Sequence, residues 1–261
     1  MHIYLVTFML SKAISAMEPC SIQLALQHVL VITTLNSSRN QHMKNTCSNA
    51  AISCTMFPAM SKELVDLQKL RAASYAAPPL LRSTSTIPRH NLTAGEFALS
   101  ITHRNAYDAL LLNRWPCALI LENDAAFRAS FATQIQALYL PPTFDVIKLE
   151  ACNSQQEAAQ NIRVRLAHGQ GGWCTAAYMV SYQGAKLLRS LQTPVWLVSD
   201  GAFRVLDPRN NRHLEGTLNK TAATTSGLRP IEIYHTVPPL AWQQNNGVRE
   251  KSPEGDSWSK S

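Results

Sequence analysis

The sequence has none of the glycine-rich motifs that cradle phosphate groups in many nucleotide-binding proteins. Neither Gly-x-x-x-x-Gly-Lys-Ser/Thr nor Gly-x-Gly-x-x-Gly occurs, and Gly169-Gln-Gly-Gly172 fills neither pattern. A phosphotransferase built on such a loop is therefore disfavoured. The chain also has no dense Lys/Arg tract and no basic stretch interleaved with aromatic residues, so we expect no nucleic-acid partner.

Long hydrophobic runs are absent as well. No uninterrupted apolar stretch approaches the roughly 18 residues that a membrane helix needs, so we expect no transmembrane span. Residues 3–10 have about the length of the apolar part of a signal peptide but lack a basic segment before them. The sequence leaves two locations open, the cytoplasm and the lumen of the secretory pathway.

Cysteine spacings typical of metal sites are also missing. The six cysteines, at positions 20, 47, 54, 117, 152 and 174, form no Cys-x-x-Cys pair, and several lie inside apolar runs. We therefore expect buried free thiols. What the chain does have is positive charge, since 24 Lys and Arg against 17 Asp and Glu give a formal net charge of +7. Such a surface favours anionic ligands, for example nucleotides and phosphates.

Apolar runs alternate with helical patterns along residues 28–246, which predicts a single α/β domain with a mostly parallel central sheet. We expect an N-terminal extension at 1–27 and a disordered polar tail at 247–261. A proline-broken excursion at 61–92 is long enough to be functional, and 201–230 should be loops. The predicted strands are 28–35, 52–57, 118–121, 144–149, 173–181, 195–198 and 231–234, and the predicted helices are 39–48, 62–73, 93–114, 130–138 and 183–191.

The most informative stretch is the apolar run Ala118–Leu121, which ends in Glu122-Asn123-Asp124. It fits a buried strand of a parallel sheet, and ligands bind outside the carboxyl ends of such strands. If the extended geometry continues, the carboxylates of Glu122 and Asp124 point to the same side, where they would suit Mg²⁺ or Mn²⁺ against a phosphate. The other interpretation is that Asp124 caps a helix starting at Ala125 and that Glu122 is merely solvated.

Five blocks of the sequence carry a family pattern. They are Thr93-Ala-Gly-Glu-Phe-Ala-Leu-Ser-Ile-Thr-His103; Leu119-Ile-Leu-Glu-Asn-Asp124; Thr175-Ala-Ala-Tyr178 with Ser181 and Gly184-Ala185; Asp200; and Pro238-Pro-Leu240 with Gln243. In this order they resemble the motifs of glycosyltransferase family 25, the group of lipooligosaccharide and procollagen galactosyltransferases. Two positions differ from the family pattern: Asn123 stands where the family has an acid, and Thr102 where it has a serine.

The resemblance implies a GT-A-like nucleotide-sugar transferase fold, a UDP-sugar donor and Mn²⁺ or Mg²⁺ as cofactor. It also implies transfer, with inversion, of a hexose, expected to be galactose, to a hydroxyl of a glycan or protein acceptor. The excursion at 61–92 would be an acceptor-side flap. Because Asn123 removes one formal negative charge, the alternative is a catalytically impaired protein of this shape that binds a carbohydrate or a protein partner.

Roles for individual residues follow from the chemistry that the resemblance implies. Asp124 would hold the divalent ion, and Glu122 would assist either directly or by binding the ribose of the donor. Thr33, Thr34 and Arg39, at the end of the first strand and the start of its helix, would contact the donor, with the guanidinium fork of Arg39 on phosphate. The alternative for Arg39 is an ordinary surface residue.

Two residues of the first family block are expected to bind the donor or shape the donor and acceptor pocket, namely Glu96 and His103. Each has a structural alternative. Thr93-Ala-Gly-Glu96 has the form of a capping box, and a histidine on a helix is commonly a packed core residue.

Inverting transfer also needs a base that takes the proton of the acceptor hydroxyl. Asp200 follows the apolar run 195–198, again at a predicted strand exit, and is our candidate. Glu150, which follows the strand at 144–149, is the runner-up. The alternative for Asp200 is that it caps a turn at Gly201.

Overall fold

A computed structural model describes residues 18–34, 37–74, 92–151, 164–168, 174–193, 195, 197–207 and 229–243. The predicted tail at 247–261 and residues 75–91 of the predicted flap lie outside the described residues. The strands are β1 (Val29–Thr33), β2 (Cys54–Pro58), β3 (Cys117–Glu122), β4 (Ala125–Phe127), β5 (Val146–Lys148), β6 (Glu150–Ala151), β7 (Arg165–His168), β8 (Ala177–Ser181), β9 (Ile233–Val237) and β10 (Ala241–Gln243). The helices are α1 (Ile22–Gln27), α2 (Ser37–Asn49), α3 (Leu67–Ser74), α4 (Ala94–Leu112), α5 (Phe131–Gln136), α6 (Tyr182–Leu191) and α7 (Ser199–Leu206), with a 3₁₀ turn at Lys62–Leu64.

Seven of the described strands form the central sheet, in the order β2-β1-β3-β8-β5-β9-β7. β1 is parallel to β2 and β3, and β5 is parallel to β9, whereas β8 is antiparallel to β3 and β5, and β7 is antiparallel to β9. All strands except β7 and β8 therefore run in one direction. This confirms the predicted α/β class with a mostly parallel sheet.

A second sheet, in the order β4-β10-β6, lies where β3 and β5 end. β4 follows β3 after the turn Asn123-Asp124, and β6 follows β5 after Leu149. β10 joins them, pairing antiparallel with β4 and parallel with β6. This arrangement brings the segments that leave β3 and β5 to the same end of the domain.

Helices cover both faces of the central sheet. All residues of β1 and β8 are buried. One face, which includes Ile120 and Tyr178, packs against α4, α6 and α7. The other, which includes Leu119, packs against α1, α2 and α5. Strands that are apolar on both sides need cover on both sides, so the continuous apolar runs of the sequence lead to three layers.

Helix α4 begins at the predicted capping box. Thr93 Oγ1 accepts the amide of Glu96, and Glu96 Oε2 accepts the amide of Thr93 at 2.7 Å. Further along α4, the Thr102 hydroxyl donates to the Ala98 carbonyl at 2.7 Å and accepts the amide of Met60 at 2.8 Å. Thr102 thereby fixes the segment after β2 against the helix that carries the next residue, His103.

The prediction of free thiols is wrong. Cys20 is bonded to Cys117 and Cys47 to Cys54, and Cys174 is also disulfide-bonded, so no described cysteine is free. Spacing along the chain gave no sign of these bonds. α1 packs on β3 and α2 packs on β2, and only this packing brings the two pairs of cysteines together.

The helix predicted at 62–73 is interrupted. A 3₁₀ turn precedes α3, and Val65 between them is extended. Asp66 Oδ1 accepts the amide of Lys69 at 2.9 Å, a bond typical of a residue that caps a helix start. The local cap therefore starts a new helix at Leu67.

The strand predicted at 195–198 is also wrong, and so is the loop predicted from Gly201 to Leu206. Val195 and Leu197 are buried against helices rather than in the sheet, and α7 begins at Ser199. β8, the strand before this segment, already has β3 and β5 as its neighbours. A short apolar run fits either kind of burial, so its pattern did not distinguish them.

Part of the predicted N-terminal extension is structured. Residues 22–27 form α1, and Ser21 caps it by accepting the amide of Leu24 at 3.2 Å. The boundaries at residues 28 and 246 stay a prediction. Among the described helices, none is long and apolar enough to cross a membrane.

Candidate active site

Glu122, the last residue of β3, is held by hydrogen bonds from two other elements. Its Oε1 accepts His103 Nε2 from α4 at 3.2 Å and the hydroxyl of Thr175, which lies just before β8. His103 is fully buried, with Nδ1 2.7 Å from the Tyr178 hydroxyl, which is 2.9 Å from that of Tyr107. A carboxylate only accepts hydrogen bonds, so both His103 Nε2 and Thr175 donate to Glu122.

These hydrogen bonds keep the Glu122 carboxylate ionised. Burial alone would raise the pKa of Glu122, but the hydrogen bond and charge of His103, together with the Thr175 hydroxyl, hold the pKa below its ordinary value. Thr175 Oγ1 is also 3.2 Å from Ser199 Oγ at the start of α7. Glu122 is therefore an ionised carboxylate of fixed orientation.

Asn123 and Asp124 form the turn between β3 and β4, so two expectations are wrong. Strand geometry does not continue to Asp124, and no helix begins at Ala125. Asn123 Nδ2 donates to Thr34 Oγ1 at 3.1 Å, and Gln243 Nε2 donates to Asp124 Oδ2 at 3.0 Å. Asp124 Oδ1 is buried and has no hydrogen-bond partner within the described part of the chain.

Burial raises the pKa of Asp124, and the negative charge of Glu122 raises it further. The bond from Gln243 and the charge of Arg39 act in the opposite direction. The two acids are thus close enough to repel each other, although they do not lie on one extended strand. Arg39 on α2, predicted as a donor contact, is the nearby cation that reduces this repulsion.

The predicted donor residues of the first strand lie at the switch point of the sheet. The chain leaves β1 for β2 on one side and returns to β3 on the other, with α2 and α4 on opposite faces. Such a crevice is where open α/β sheets bind ligands. At this switch point Thr34 accepts the bond from Asn123, and the charge of Arg39 acts on Asp124. The hydroxyl of Thr33 instead donates to the Phe57 carbonyl at 3.3 Å, a bond to the neighbouring strand β2.

A second group of charged residues lies where β5 ends. Glu150 is only 6% exposed, and neither of its carboxylate oxygens has a hydrogen-bond partner in the described residues. Burial raises the pKa of Glu150 to about 8, with the charge of Lys148 opposing and that of Glu122 adding to the rise. The amides of Ala176 and Ala177 are close enough to lower the pKa of Glu150, although neither makes a hydrogen bond to its carboxylate.

Asp200 lies near these residues, although not at a strand exit as predicted. It is in the first turn of α7, and its Oδ2 accepts the amide of Cys174 at 3.1 Å. Burial lowers the pKa of Lys148, while the charges of Glu150 and Asp200 raise it. Lys148 is therefore close enough to both acids for their charges to act on it. No role was predicted for Lys148 or Thr175; the signal for Lys148 was its position two residues before Glu150 at the end of an apolar run.

Glu96 is the predicted site residue that the structure assigns most clearly to another task. Its Oε2 accepts both the amide and the hydroxyl of Thr93, at 2.7 and 2.9 Å. Among the described residues, the hydrogen bonds of its side chain go to Thr93 and not to Glu122 or its partners. A role for Glu96 toward the donor stays a prediction, and the capping box is its observed function.

The acids fit a divalent ion only in part. The described residues contain no group of three or more Asp, Glu, His or Cys placed to hold a metal together. Asp124 does offer an uncommitted buried oxygen beside the charge of Glu122, which is an arrangement that a cation stabilises. The protein would thus supply Asp124 and Glu122, and the remaining ligands would be phosphate oxygens and water.

The mostly parallel α/β sheet, with acids and an arginine at its switch point, is consistent with a single domain of the nucleotide-sugar transferase class. Residues 26–201 match glycosyltransferase family 25 (LPS biosynthesis protein), and the chain belongs to this family. The resemblance drawn from the motifs is therefore confirmed, and the protein is a glycosyltransferase with a sugar donor and a glycan acceptor. The match includes every site residue described above except Gln243. No curated protein matches the chain.

Proposed function

We propose that the protein transfers a hexose, with galactose as the first candidate, from a UDP-sugar to a hydroxyl of a glycan or protein acceptor, with inversion. The observation that carries this proposal is the pairing of an ionised Glu122 with a buried, uncommitted Asp124 oxygen at the switch point. Thr34 and Arg39 lie beside them. This arrangement suits a donor whose diphosphate develops negative charge when it leaves.

The donor would be bound by residues from three places: the end of β1, helix α2 and the β3–β4 turn. The guanidinium of Arg39 would pair with phosphate oxygens, and the Thr34 hydroxyl and Asn123 amide would bond to the nucleotide. Mn²⁺ or Mg²⁺, when bound at Asp124 and Glu122, would neutralise charge on the diphosphate. The bonds of His103 and Thr175 keep the Glu122 carboxylate in one orientation throughout.

Asp200 is proposed as the general base. As the acceptor oxygen attacks the anomeric carbon, its proton passes to an Asp200 carboxylate oxygen and the bond from that carbon to the diphosphate breaks, so UDP leaves with the electron pair. Asp200 is partly exposed and is oriented by the Cys174 amide, which leaves one oxygen for the acceptor. Glu150 remains the second candidate for this role.

The first test is thermal melting with Mn²⁺ alone and with Mn²⁺ plus UDP. A ligand at about 100 times its Kd stabilises the folded state by about 2.7 kcal/mol, which corresponds to a rise in Tm of roughly 5–10 °C for a chain of this size. GDP in place of UDP is the control for base specificity. Equal melting temperatures in all three conditions would count against a UDP-sugar donor.

The second test measures turnover with a panel of radiolabelled UDP-sugars, scored first as slow hydrolysis without acceptor. Asp200→Asn should lower turnover by roughly 10²- to 10⁴-fold while UDP binding survives. A near wild-type rate for this variant would assign the base to Glu150 instead.

One observation favours a second function, binding without turnover. The amide of Asn123 is bonded to Thr34 where the family has an acid, so the turn carries one negative charge fewer. A protein that binds UDP-sugars tightly but neither hydrolyses nor transfers them, and that gains turnover on Asn123→Asp replacement, would support this function.

A further inference from the structure

Two consecutive residues just before β8 contact both halves of the proposed site. The amide of Cys174 donates to Asp200 Oδ2 at 3.1 Å, and the hydroxyl of Thr175 donates to Glu122 Oε1. Thr175 Oγ1 is also 3.2 Å from the hydroxyl oxygen of Ser199, the residue before Asp200. These two residues therefore join the end of β3 to the first turn of α7.

The directions of these hydrogen bonds follow from the number of protons available. A carboxylate only accepts hydrogen bonds, so the single hydroxyl proton of Thr175 goes to Glu122. Thr175 Oγ1 has no second proton to give, so the Ser199 hydroxyl is the donor in the bond between them. Because Thr175 and Ser199 are both buried, the loss of either hydroxyl leaves its partner with one hydrogen bond fewer, and bulk water does not replace it.

The backbone of Cys174 has an unusual conformation. Its φ angle is 80°, in the left-handed region that costs a residue other than glycine free energy. Such residues persist where surrounding contacts hold them, and Cys174 is held by its disulfide and by its bond to Asp200. Backbone strain of this kind is concentrated at functional sites, which supports a role for this segment in the site.

We propose that Thr175 is a positioning residue that holds the Glu122 carboxylate and helix α7 at one fixed separation. This inference rests on the proposed function, in which Glu122 acts on the donor and Asp200 on the acceptor hydroxyl. Transfer needs both carboxylates in place around one anomeric carbon, and even a small displacement of groups around a reacting atom is costly in rate. Thr175 does not touch the substrate in this assignment.

The test of the donor side is calorimetric titration with UDP in the presence of Mn²⁺, which needs no turnover. Thr175→Val keeps the shape of the side chain but removes the hydroxyl that orients Glu122, so the affinity for UDP with Mn²⁺ should fall roughly 10- to 100-fold. Thr175→Ser keeps the hydroxyl and should bind like the wild type. Wild-type affinity in Thr175→Val, or an equal loss in both variants, would overturn the proposal.

The test of the acceptor side is hydrolysis of the UDP-sugar. Ser199→Ala removes the hydroxyl link between Thr175 and α7, so kcat should fall by roughly tenfold while KM for the donor stays unchanged. Ser100→Ala is the matched control, because Ser100 is a buried serine of α4 whose hydroxyl has no partner among the described residues. It should change neither constant. An unchanged kcat in Ser199→Ala, or an equal loss in the control, would overturn the proposal.

Melting temperatures without any ligand separate this inference from the proposed function. If the two hydroxyls are joined, the fall in Tm for Thr175→Val combined with Ser199→Ala should be smaller than the sum of the falls for the two single variants. Additive falls would overturn the proposal. A wild-type protein that binds no UDP and hydrolyses no UDP-sugar would instead overturn the proposed function, while the melting temperatures would still decide whether Thr175 links β3 to α7.

Discussion

At the scale of single residues, the acids of the site differ because their surroundings differ. Glu122 receives hydrogen bonds from His103 and Thr175 and stays ionised, whereas Glu150 is buried without such donors and its pKa rises to about 8. Asp124 lies between these cases, since Gln243 and Arg39 oppose the effects of burial and of Glu122. Separated pKa values among neighbouring acids are typical of sites that assign them different roles.

Asp124→Ala should abolish the gain in UDP affinity that Mn²⁺ provides, because it removes the uncommitted buried oxygen. The fold should persist, since the replacement also removes a carboxylate that Glu122 repels. Asn123→Asp should keep or strengthen the gain, because the Thr34 hydroxyl can donate to a carboxylate as readily as it accepts from the amide. Calorimetric titration of UDP with and without Mn²⁺ measures both; equal affinities for wild type and Asp124→Ala would exclude the metal assignment.

Glu150→Gln should stabilise the protein increasingly as pH rises from about 5 to 8. The folded pKa of Glu150 is about 8 against an ordinary value of 4.5, so the folded state binds more protons in this window and wild-type stability falls through it. Glutamine carries no such proton, so the difference in Tm between variant and wild type should grow by several degrees over this range. Melting curves at pH 5, 6, 7 and 8 measure this, and a difference independent of pH would contradict it.

At the scale of elements, the packing of the domain depends on how closely a helix approaches the sheet. α6 is capped by Ser181, whose hydroxyl accepts the amide of Gly184 at 3.0 Å. A Cβ at Gly184 would lie 2.2 Å from the Asp145 carbonyl oxygen, which itself accepts the Ser181 amide. The absence of a side chain at Gly184 is therefore what lets α6 pack directly against the start of β5.

Gly184→Ala should destabilise the protein by at least about 1–3 kcal/mol, because the added methyl group meets backbone that cannot rotate away. Gly95→Ala is the matched control. Its nearest neighbour would be Thr93 Oγ1 at 4.0 Å, so it should be neutral or stabilise α4 by up to about 1 kcal/mol. Urea unfolding of both variants decides this, and similar midpoints would show that α6 can shift without cost.

At the scale of the whole molecule, disulfides join elements that are distant in the chain. Cys20–Cys117 spans 97 residues and ties the segment before α1 to β3, whereas Cys47–Cys54 spans 7. Disulfides form and persist in oxidising compartments, so we expect the protein to mature in one. Of the two locations that the sequence left open, the bonds favour the secretory-pathway lumen.

Replacing both cysteines of the long-range bond by alanine should lower stability more than replacing both of the short-range bond. In the chain-entropy model a loop of about 100 residues contributes about 4.7 kcal/mol and one of seven residues about 2 kcal/mol. Both double variants lose the same two sulfur atoms, so the difference between their losses of stability measures the effect of loop length. Thermal melting with and without dithiothreitol measures it, and equal losses would show that the long loop is already restricted in the unfolded chain.

The sequence by itself determined the family and many of the elements, but not the short strands β4, β6, β7 and β10. Continuous apolar runs gave β1, β3 and β8, the Thr93-to-Glu96 spacing gave the start of α4, and the motif order gave glycosyltransferase family 25. These features are readable because they depend on neighbours a few residues apart. The same local reading failed at 195–198, where an apolar run packs under helices instead of in the sheet.

Tertiary structure decided which side chains meet. Glu122 stays ionised because of hydrogen bonds from His103, 19 positions away, and Thr175, 53 positions away. The antiparallel insertion of β8 between β3 and β5 brings Thr175 beside Glu122, and the packing of α7 on this sheet brings Asp200 toward Lys148. A pKa, a disulfide partner or a metal ligand depends on distance and burial in space, and neither follows from local sequence spacing.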